Sequence, residues 1–318
     1  MYGDVFGLST EFADGPAVNG TANSSDFACY DAPPIMEEGP RNSVEHRRSE
    51  VVAALRPRRR LMVALSGGVD SAALLALAVD ALGAPNVMAV TGRSEAVTPE
   101  EVDDARRVAG VLGVRHRIVT TREMARAGYV ANAGDRCFHC RTELFEILAD
   151  LARSEQIPWI AYGAIVDDLG DDRPGMEAAR RLGILAPLLD AGISKSDART
   201  LAKASGLHVS DKPASPCLAS RIPRGTEVTA ERLGQVAAAE AALRALGFRE
   251  LRVRHHGEIA RLELGQEETR RLASEALRAR AVEGVRKAGF LTVVVDPEGY
   301  RTPGSRLYSI RPSRDGGQ

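Results

Sequence analysis

Leu61-Met62-Val63-Ala64-Leu65-Ser66-Gly67-Gly68-Val69-Asp70-Ser71 is the stretch that decides the fold. Its first five residues are apolar without interruption, as a strand buried on both faces requires. The chain from Asp70 to Gly83 is rich in Ala and Leu and reads as a helix that stops at the glycine. A strand handing over to a helix through Ser66-Gly67-Gly68-Val69 aims backbone N–H groups and a helix N-terminus at one point, which makes an anion site. Gly67 and Gly68 allow positive φ and close approach of an anion, and the Ser66 and Ser71 hydroxyls add donors. Asp70 is placed to cap the helix or to hold a phosphate-bound Mg²⁺. The loop lacks the Gly-Lys-Ser/Thr ending whose lysine serves γ-phosphoryl transfer, so a different phosphate bond is the one expected to break.

Outward from this loop, short apolar runs alternate with amphipathic stretches, the mark of βαβ units around a parallel sheet. The runs are 61–65, 87–90, 117–119 and 159–162. One intervening helix has Thr98 as N-cap, Pro99 at its first position and Glu101 closing a capping box; another follows Ser194 and ends at Gly206. Thr91 and Ser94 follow the second strand, where ligands of open parallel sheets bind, and are the expected adenine contacts. After Pro223 come an Ala-rich helix (about 229–246), strands at 251–254 and 259–264, a helical stretch and a strand at 291–295, a small α+β domain. The expected organisation is a Gly-, Pro- and Ser-containing disordered extension over 1–45, an α/β nucleotide-binding domain over 46–222, and a small α+β domain over 223–312 that binds substrate or builds an oligomer.

Across the 318 residues, 42 basic groups balance 43 acidic ones. That balance argues against a dedicated nucleic-acid surface, and 4% aromatics with one Trp argue against a base-stacking platform. No apolar run approaches the roughly 20 residues that span a bilayer, so a soluble cytoplasmic protein is expected. Four cysteines do not make a disulfide scaffold at this length. Cys29 lies in the extension and reads as an inert thiol. Cys137 and Cys140 form C-x-x-C in Arg136-Cys137-Phe138-His139-Cys140-Arg141, and Cys217 lies in Ala214-Ser215-Pro216-Cys217-Leu218-Ala219-Ser220-Arg221. These three thiols allow a [4Fe–4S] cluster with one iron lacking a protein ligand, a zinc site completed by His139 or His208, a redox pair, or unconnected thiols.

The loop resembles that of the PP-loop ATP pyrophosphatases, whose S-G-G-x-D-S cradles pyrophosphate while a substrate is adenylated. The joint pattern resembles the LarE family of ATP-dependent sulfur transferases. It is carried by the loop, Asp172-Arg173-Pro174-Gly175 with Ala178 and Arg180, Ser215-Pro216-Cys217-Leu218-Ala219-Ser220-Arg221, and Leu246-Gly247-Phe248 leading into Arg252-Val253-Arg254. The resemblance covers residues 50 to 310. It implies adenylation of a carboxylate of pyridinium-3,5-biscarboxylic acid mononucleotide and its conversion to a thiocarboxylate, a step in nickel-pincer nucleotide biosynthesis for lactate racemase. It implies ATP and Mg²⁺, with AMP and pyrophosphate released. It also implies a [4Fe–4S] cluster on Cys137, Cys140 and Cys217 carrying an extra sulfide; single-cysteine members instead sacrifice the sulfur of the residue matching Cys217.

By the same resemblance Ser220, Arg221, Arg252 and Arg254 bind the substrate phosphate, and Glu240 matches an acidic position near that site, to be read as a metal contact or as an ordinary glutamate of a helix surface. Arg252 and Arg254 alternate by two and so share one strand face, and arginine's planar fork suits phosphate. Rings of subunits and companion enzymes of the same biosynthesis are implied as partners. Two other readings stand beside this one: a PP-loop tRNA thiolase, and a nucleotide-binding scaffold with structural zinc.

Overall fold

The computed structural model describes residues 43–170, 173–213 and 216–300. Asp172, Ser215 and Cys29, all named above, lie outside the described residues, as do 1–42 and 301–318. The chain opens with α1 (Val44–Leu55), N-capped by Ser43, whose hydroxyl accepts from His46 N at 3.2 Å. Apolar residues cluster only at the C-terminal end of this helix, where Val51, Val52 and Leu55 are buried.

Then follow β1 (Leu61–Ala64), α2 (Val69–Leu82), β2 (Val87–Arg93), α3 (Pro99–Val111), β3 (Arg115–Thr120), α4 (Ala127–Ala131), α5 (Arg136–Ser154) and β4 (Trp159–Tyr162). The four strands form one parallel sheet in the order β3-β2-β1-β4. Its central strand β1 has Leu61, Met62 and Val63 fully buried, which is why an uninterrupted apolar run reads as a strand here. α3 starts on the expected capping box, with Thr98 and Glu101 each satisfying a backbone N–H of the other.

Beyond the sheet lie α6 (Arg173–Arg181), α7 (Pro187–Asp190) and α8 (Lys195–Ala204), the last opened by a second capping box between Ser194 and Asp197. The C-terminal part contains α9 (Ala230–Ala245), β5 (Leu251–His256), β6 (Ile259–Leu264), α10 (Gln266–Arg271), α11 (Glu275–Lys287) and β7 (Thr292–Val295). Its sheet has the order β5-β6-β7, antiparallel then parallel. α9 and α11 lie together on it, with Leu233, Val236, Ala281 and Val285 buried in one apolar core. That core also takes in Ala96 and Tyr129 from the chain before α5, so the two sheets are joined by side-chain packing.

Candidate active site

Gly67 takes φ +77°, and a Cβ there would lie 2.3 Å from the Glu101 carbonyl oxygen on α3. Gly68 is extended, with φ −90°, and N-caps α2; a Cβ there would meet only Ser66 Oγ, at 3.4 Å. The need for positive φ expected of both glycines therefore belongs to Gly67 alone, while a side chain on Gly68 would fill the open space before the helix. Ser71 Oγ lies 3.1 Å from both Ser66 N and Ser66 Oγ and donates to the Gly68 carbonyl at 3.0 Å, which closes the loop on itself. Gly163, directly after β4, lets the first turn of α2 approach: a Cβ there would be 2.7 Å from Ser71 N.

Asp70 caps nothing, since the helix starts on Gly68 without a side-chain cap. Its two oxygens instead receive Lys195 Nζ at 3.0 and 2.8 Å. Burial pushes the Asp70 carboxyl above its ordinary range, and the Lys195 ammonium opposes that rise. On the other side of the loop Lys212 Nζ lies 3.4 Å from the Gly67 carbonyl and 2.6 Å from Asp104 Oδ2. Burial raises the Asp104 carboxyl, but hydrogen bonds from Lys212, His208 and Arg107 outweigh it and hold the group below the usual carboxylate range. Two lysines thus flank a loop that carries none of its own. The sequence reading missed both, although Lys195 stands directly after the N-cap it identified.

Thr91 is buried; its hydroxyl donates to the Leu65 carbonyl at 2.6 Å and meets His116 Nε2 at 2.8 Å. The Ser94 hydroxyl donates to Glu123 Oε1 at 2.5 Å. Both hydroxyls expected at the adenine are thus engaged within the protein.

Cys137 and Cys140 lie in the first turns of α5, three residues apart and so on one side of the helix. Cys217 directly precedes the 3₁₀ turn Leu218–Arg221. All three are free thiols, and Cys140 and Cys217 pack against the same apolar core as Ala96 and Tyr129. The Leu218 N–H donates to the Ala96 carbonyl at 3.0 Å, and Arg136 Nη1 donates to the Ala219 carbonyl at 2.8 Å, so the Cys217 segment is tied both to the end of β2 and to the start of α5. Burial pushes the Cys140 thiol well above its ordinary pKa, and Cys217, Glu123 and Cys137 add to the rise. His139 faces Asp135 at 3.1 Å and stacks over Gly128, while His208 bonds Asp104 at 2.9 Å. Neither histidine considered as a zinc ligand joins the thiols. A donor set of three sulfurs without nitrogen fits an iron–sulfur cluster better than zinc. Among the described residues no group of three or more His, Cys, Asp or Glu is placed to hold a metal ion.

Arg221 is buried and paired through two nitrogens with Glu240, Nε to Oε1 at 2.8 Å and Nη2 to Oε2 at 3.2 Å. Its Nη1 donates to the Cys217 carbonyl at 3.3 Å and to Ser220 Oγ at 3.0 Å. Glu240 also accepts from Val253 N at 3.1 Å and Arg244 Nη2 at 3.3 Å. Both its oxygens are occupied in holding Arg221 and β5, so an ion at Glu240 has to displace one of these contacts. Arg252 lies over the Tyr300 ring at 4.5 Å, and burial, with Arg221 and Arg254 nearby, lowers its pKa. Arg254 donates to Glu263 at 2.9 Å and to the Ser220 carbonyl at 2.7 Å. Three guanidinium groups are thereby gathered around the Cys217–Arg221 turn.

A cleft of about 710 Å³ lies beside the turn that carries Arg221. Its wall runs from Asp104 and Lys212, beside the phosphate loop, past Pro216 to Arg221, Arg252 and Tyr300. Its size is that of a cavity for a nucleotide-sized ligand.

Residues 46–141 match the family model described as NAD synthase. A 59-residue stretch is 46% identical to an NH(3)-dependent NAD(+) synthetase of Aeropyrum pernix, covering 18% of this chain and 21% of that protein. Longer matches reach across both sheets. An uncharacterized protein of Synechocystis sp. is 40% identical over 243 residues, 76% of this chain and 90% of its own length. The pyridinium-3,5-bisthiocarboxylic acid mononucleotide synthase of Lactiplantibacillus plantarum is 36% identical over 256 residues, 80% of this chain and 92% of its own length. At 36% identity over 92% of that synthase's length, with the NAD synthase model matching the segment that contains the loop, the chain belongs to the LarE family of ATP-dependent sulfur transferases.

Proposed function

We propose that this chain adenylates a carboxylate of pyridinium-3,5-biscarboxylic acid mononucleotide and exchanges the activated oxygen for sulfur, toward the bisthiocarboxylic product for which its Lactiplantibacillus plantarum relative is named. The observation that carries the reading is a cleft whose lining runs from Lys212, which bonds the Gly67 carbonyl of the phosphate loop, to Arg221 and Arg252, with Cys217 directly before the turn that carries Arg221. A carboxylate oxygen leaves poorly until it becomes part of an acyl adenylate, so activation and sulfur delivery have to share one cavity.

In this reading the N–H groups of the loop and the start of α2 hold the β- and γ-phosphates, and Lys195 and Lys212 offset their charge. Asp70 would hold a phosphate-bound Mg²⁺ in place of Lys195, whose ammonium would then face the phosphates. The substrate carboxylate attacks the α-phosphorus, the bond to the bridging oxygen breaks, and pyrophosphate leaves. Arg252, Arg254, Ser220 and Arg221 hold the phosphate of the mononucleotide, with Glu240 keeping Arg221 in place. A [4Fe–4S] cluster on Cys137, Cys140 and Cys217 would supply the nucleophilic sulfur for the activated carbonyl. The part over 46–222 binds ATP, and the part over 223–312 supplies Arg252 and Arg254 to the mononucleotide beside Ser220 and Arg221. The chain then works in the cytoplasm beside the other enzymes of nickel-pincer nucleotide biosynthesis.

Exchange of labelled pyrophosphate into ATP tests the activation step. The expected result is exchange that depends on the biscarboxylic mononucleotide, and exchange indifferent to it would overturn the proposed substrate.

A further inference from the structure

Two buried oxygen atoms beside the thiols have no hydrogen-bond partner: the Tyr129 hydroxyl and Glu123 Oε2. They belong to residues only 1% and 2% exposed. A buried polar group left unpaired costs about 1–3 kcal/mol, so two in one place call for a ligand that pairs them.

Both belong to the surroundings of the sulfur site. Glu123 begins the 3₁₀ turn Glu123–Ala125, and its other oxygen is fixed by Ser94. Ser94 Oγ accepts from Ala96 N at 3.2 Å, and the Ala96 carbonyl accepts from Leu218 N, the residue after Cys217. Tyr129, on α4, is buried in the core against which Cys140 and Cys217 pack. The negative groups acting on the phenol are Cys217, Cys140 and Glu123, and Glu123 and Cys217 act in turn on Cys140. Four groups thus lie within electrostatic reach of one another around the Cys217 segment, and the phenol bonds neither thiol.

We propose that Tyr129 and Glu123 are positioning residues of a sulfide site, the phenol donating to a hydrosulfide sulfur beside Cys140 and Cys217 and Glu123 Oε2 accepting its S–H. The proposal rests on the sulfur-transfer reading and adds to it the side chains that hold the sulfur. One vacant donor and one vacant acceptor match a hydrosulfide, which accepts and has a single hydrogen to give.

The test compares wild type, Tyr129→Phe and Glu123→Gln after anaerobic reconstitution, with iron per chain and the KM for sulfide and for ATP measured on the same samples. Tyr129→Phe removes the donor and Glu123→Gln replaces an acceptor with a donor. With iron content equal in all three, each variant is expected to raise the KM for sulfide about tenfold, as loss of one hydrogen bond to a charged ligand does, with the KM for ATP unchanged. The metal-free Tyr129→Phe protein should melt at or above the wild-type temperature, because its missing hydroxyl had no partner. An unchanged KM for sulfide at full iron overturns this proposal alone. So does a lower melting temperature with all KM values raised together, which would mark the hydroxyl as structural. Wild type that takes up no iron overturns the cluster reading as well.

Discussion

The two ends of the cleft are built in opposite ways. At the phosphate loop the work is done by backbone: one glycine at positive φ, one extended glycine at a helix N-terminus, and hydroxyls closing a turn of six residues. At the sulfur and arginine end it is done by side chains that meet across the fold, with Arg221 on Glu240, Ser94 on Glu123, Arg136 on Ala219 and Arg254 on Ser220. A backbone cradle depends on local conformation, whereas a side-chain cluster depends on the whole fold being correct. The first should therefore fail by losing nucleotide chemistry, and the second by losing stability along with substrate.

The largest expected effect lies at the second end. Glu240→Ala leaves the buried Arg221 charge unpaired and should destabilise the protein by about 3–5 kcal/mol, read as a lower midpoint in urea unfolding. A midpoint within error of wild type would mean that this end does not depend on its buried pair. Next, Arg252→Ala and Arg254→Ala should each weaken mononucleotide binding by about 1.5–3 kcal/mol, tenfold to more than a hundredfold, while ATP binding holds. Equal loss of both ligands would erase the division between the two ends.

Gly67→Ala and Gly68→Ala sharpen the contrast within the loop itself. The first forces a Cβ against the Glu101 carbonyl at positive φ and should cost about 1–3 kcal/mol of stability together with adenylation. The second should fold normally yet adenylate poorly, because its methyl points into the open space before α2. Identical melting temperatures for the two variants would contradict the assignment of positive φ to Gly67 alone.

The smallest effect is a pH dependence. Asp104 has a carboxyl held below its ordinary value of 3.8, so it contributes stability that is present above that pH and lost as pH falls through the lowered folded value. The stability difference between wild type and Asp104→Asn should be constant near neutrality and shrink on acidification below about pH 4. A difference that grows on acidification would reverse the sign assigned to Asp104.

The same contrast explains what the sequence made legible. β1, the loop, the Thr98–Glu101 capping box and the ends of α8 are local patterns, and each stands where the residues alone put it. β5 and β6 were legible for the same reason. α1 was not: after Val44 its next apolar residue is Val51, and no periodic stripe distinguishes it from the extension before it. Lys195 and Lys212 were missed because nothing local shows that they reach a loop more than a hundred residues earlier. Glu123 and Tyr129 had no motif at all, and only burial together with an unmade hydrogen bond marks them. The three cysteines were visible as residues, but that they share one site, like the role of the arginines, rested on resemblance to a family, since no rule of spacing brings α5 to the turn after Pro216.

The most direct test of the account is mass spectrometry of a single reaction mixture containing anaerobically reconstituted protein, ATP, Mg²⁺, the biscarboxylic mononucleotide and sulfide. The account predicts more than one thiocarboxylate product per protein chain, with Cys217 intact in the recovered protein. No more than one product per chain, with Cys217 converted to dehydroalanine by loss of its sulfur, would contradict it.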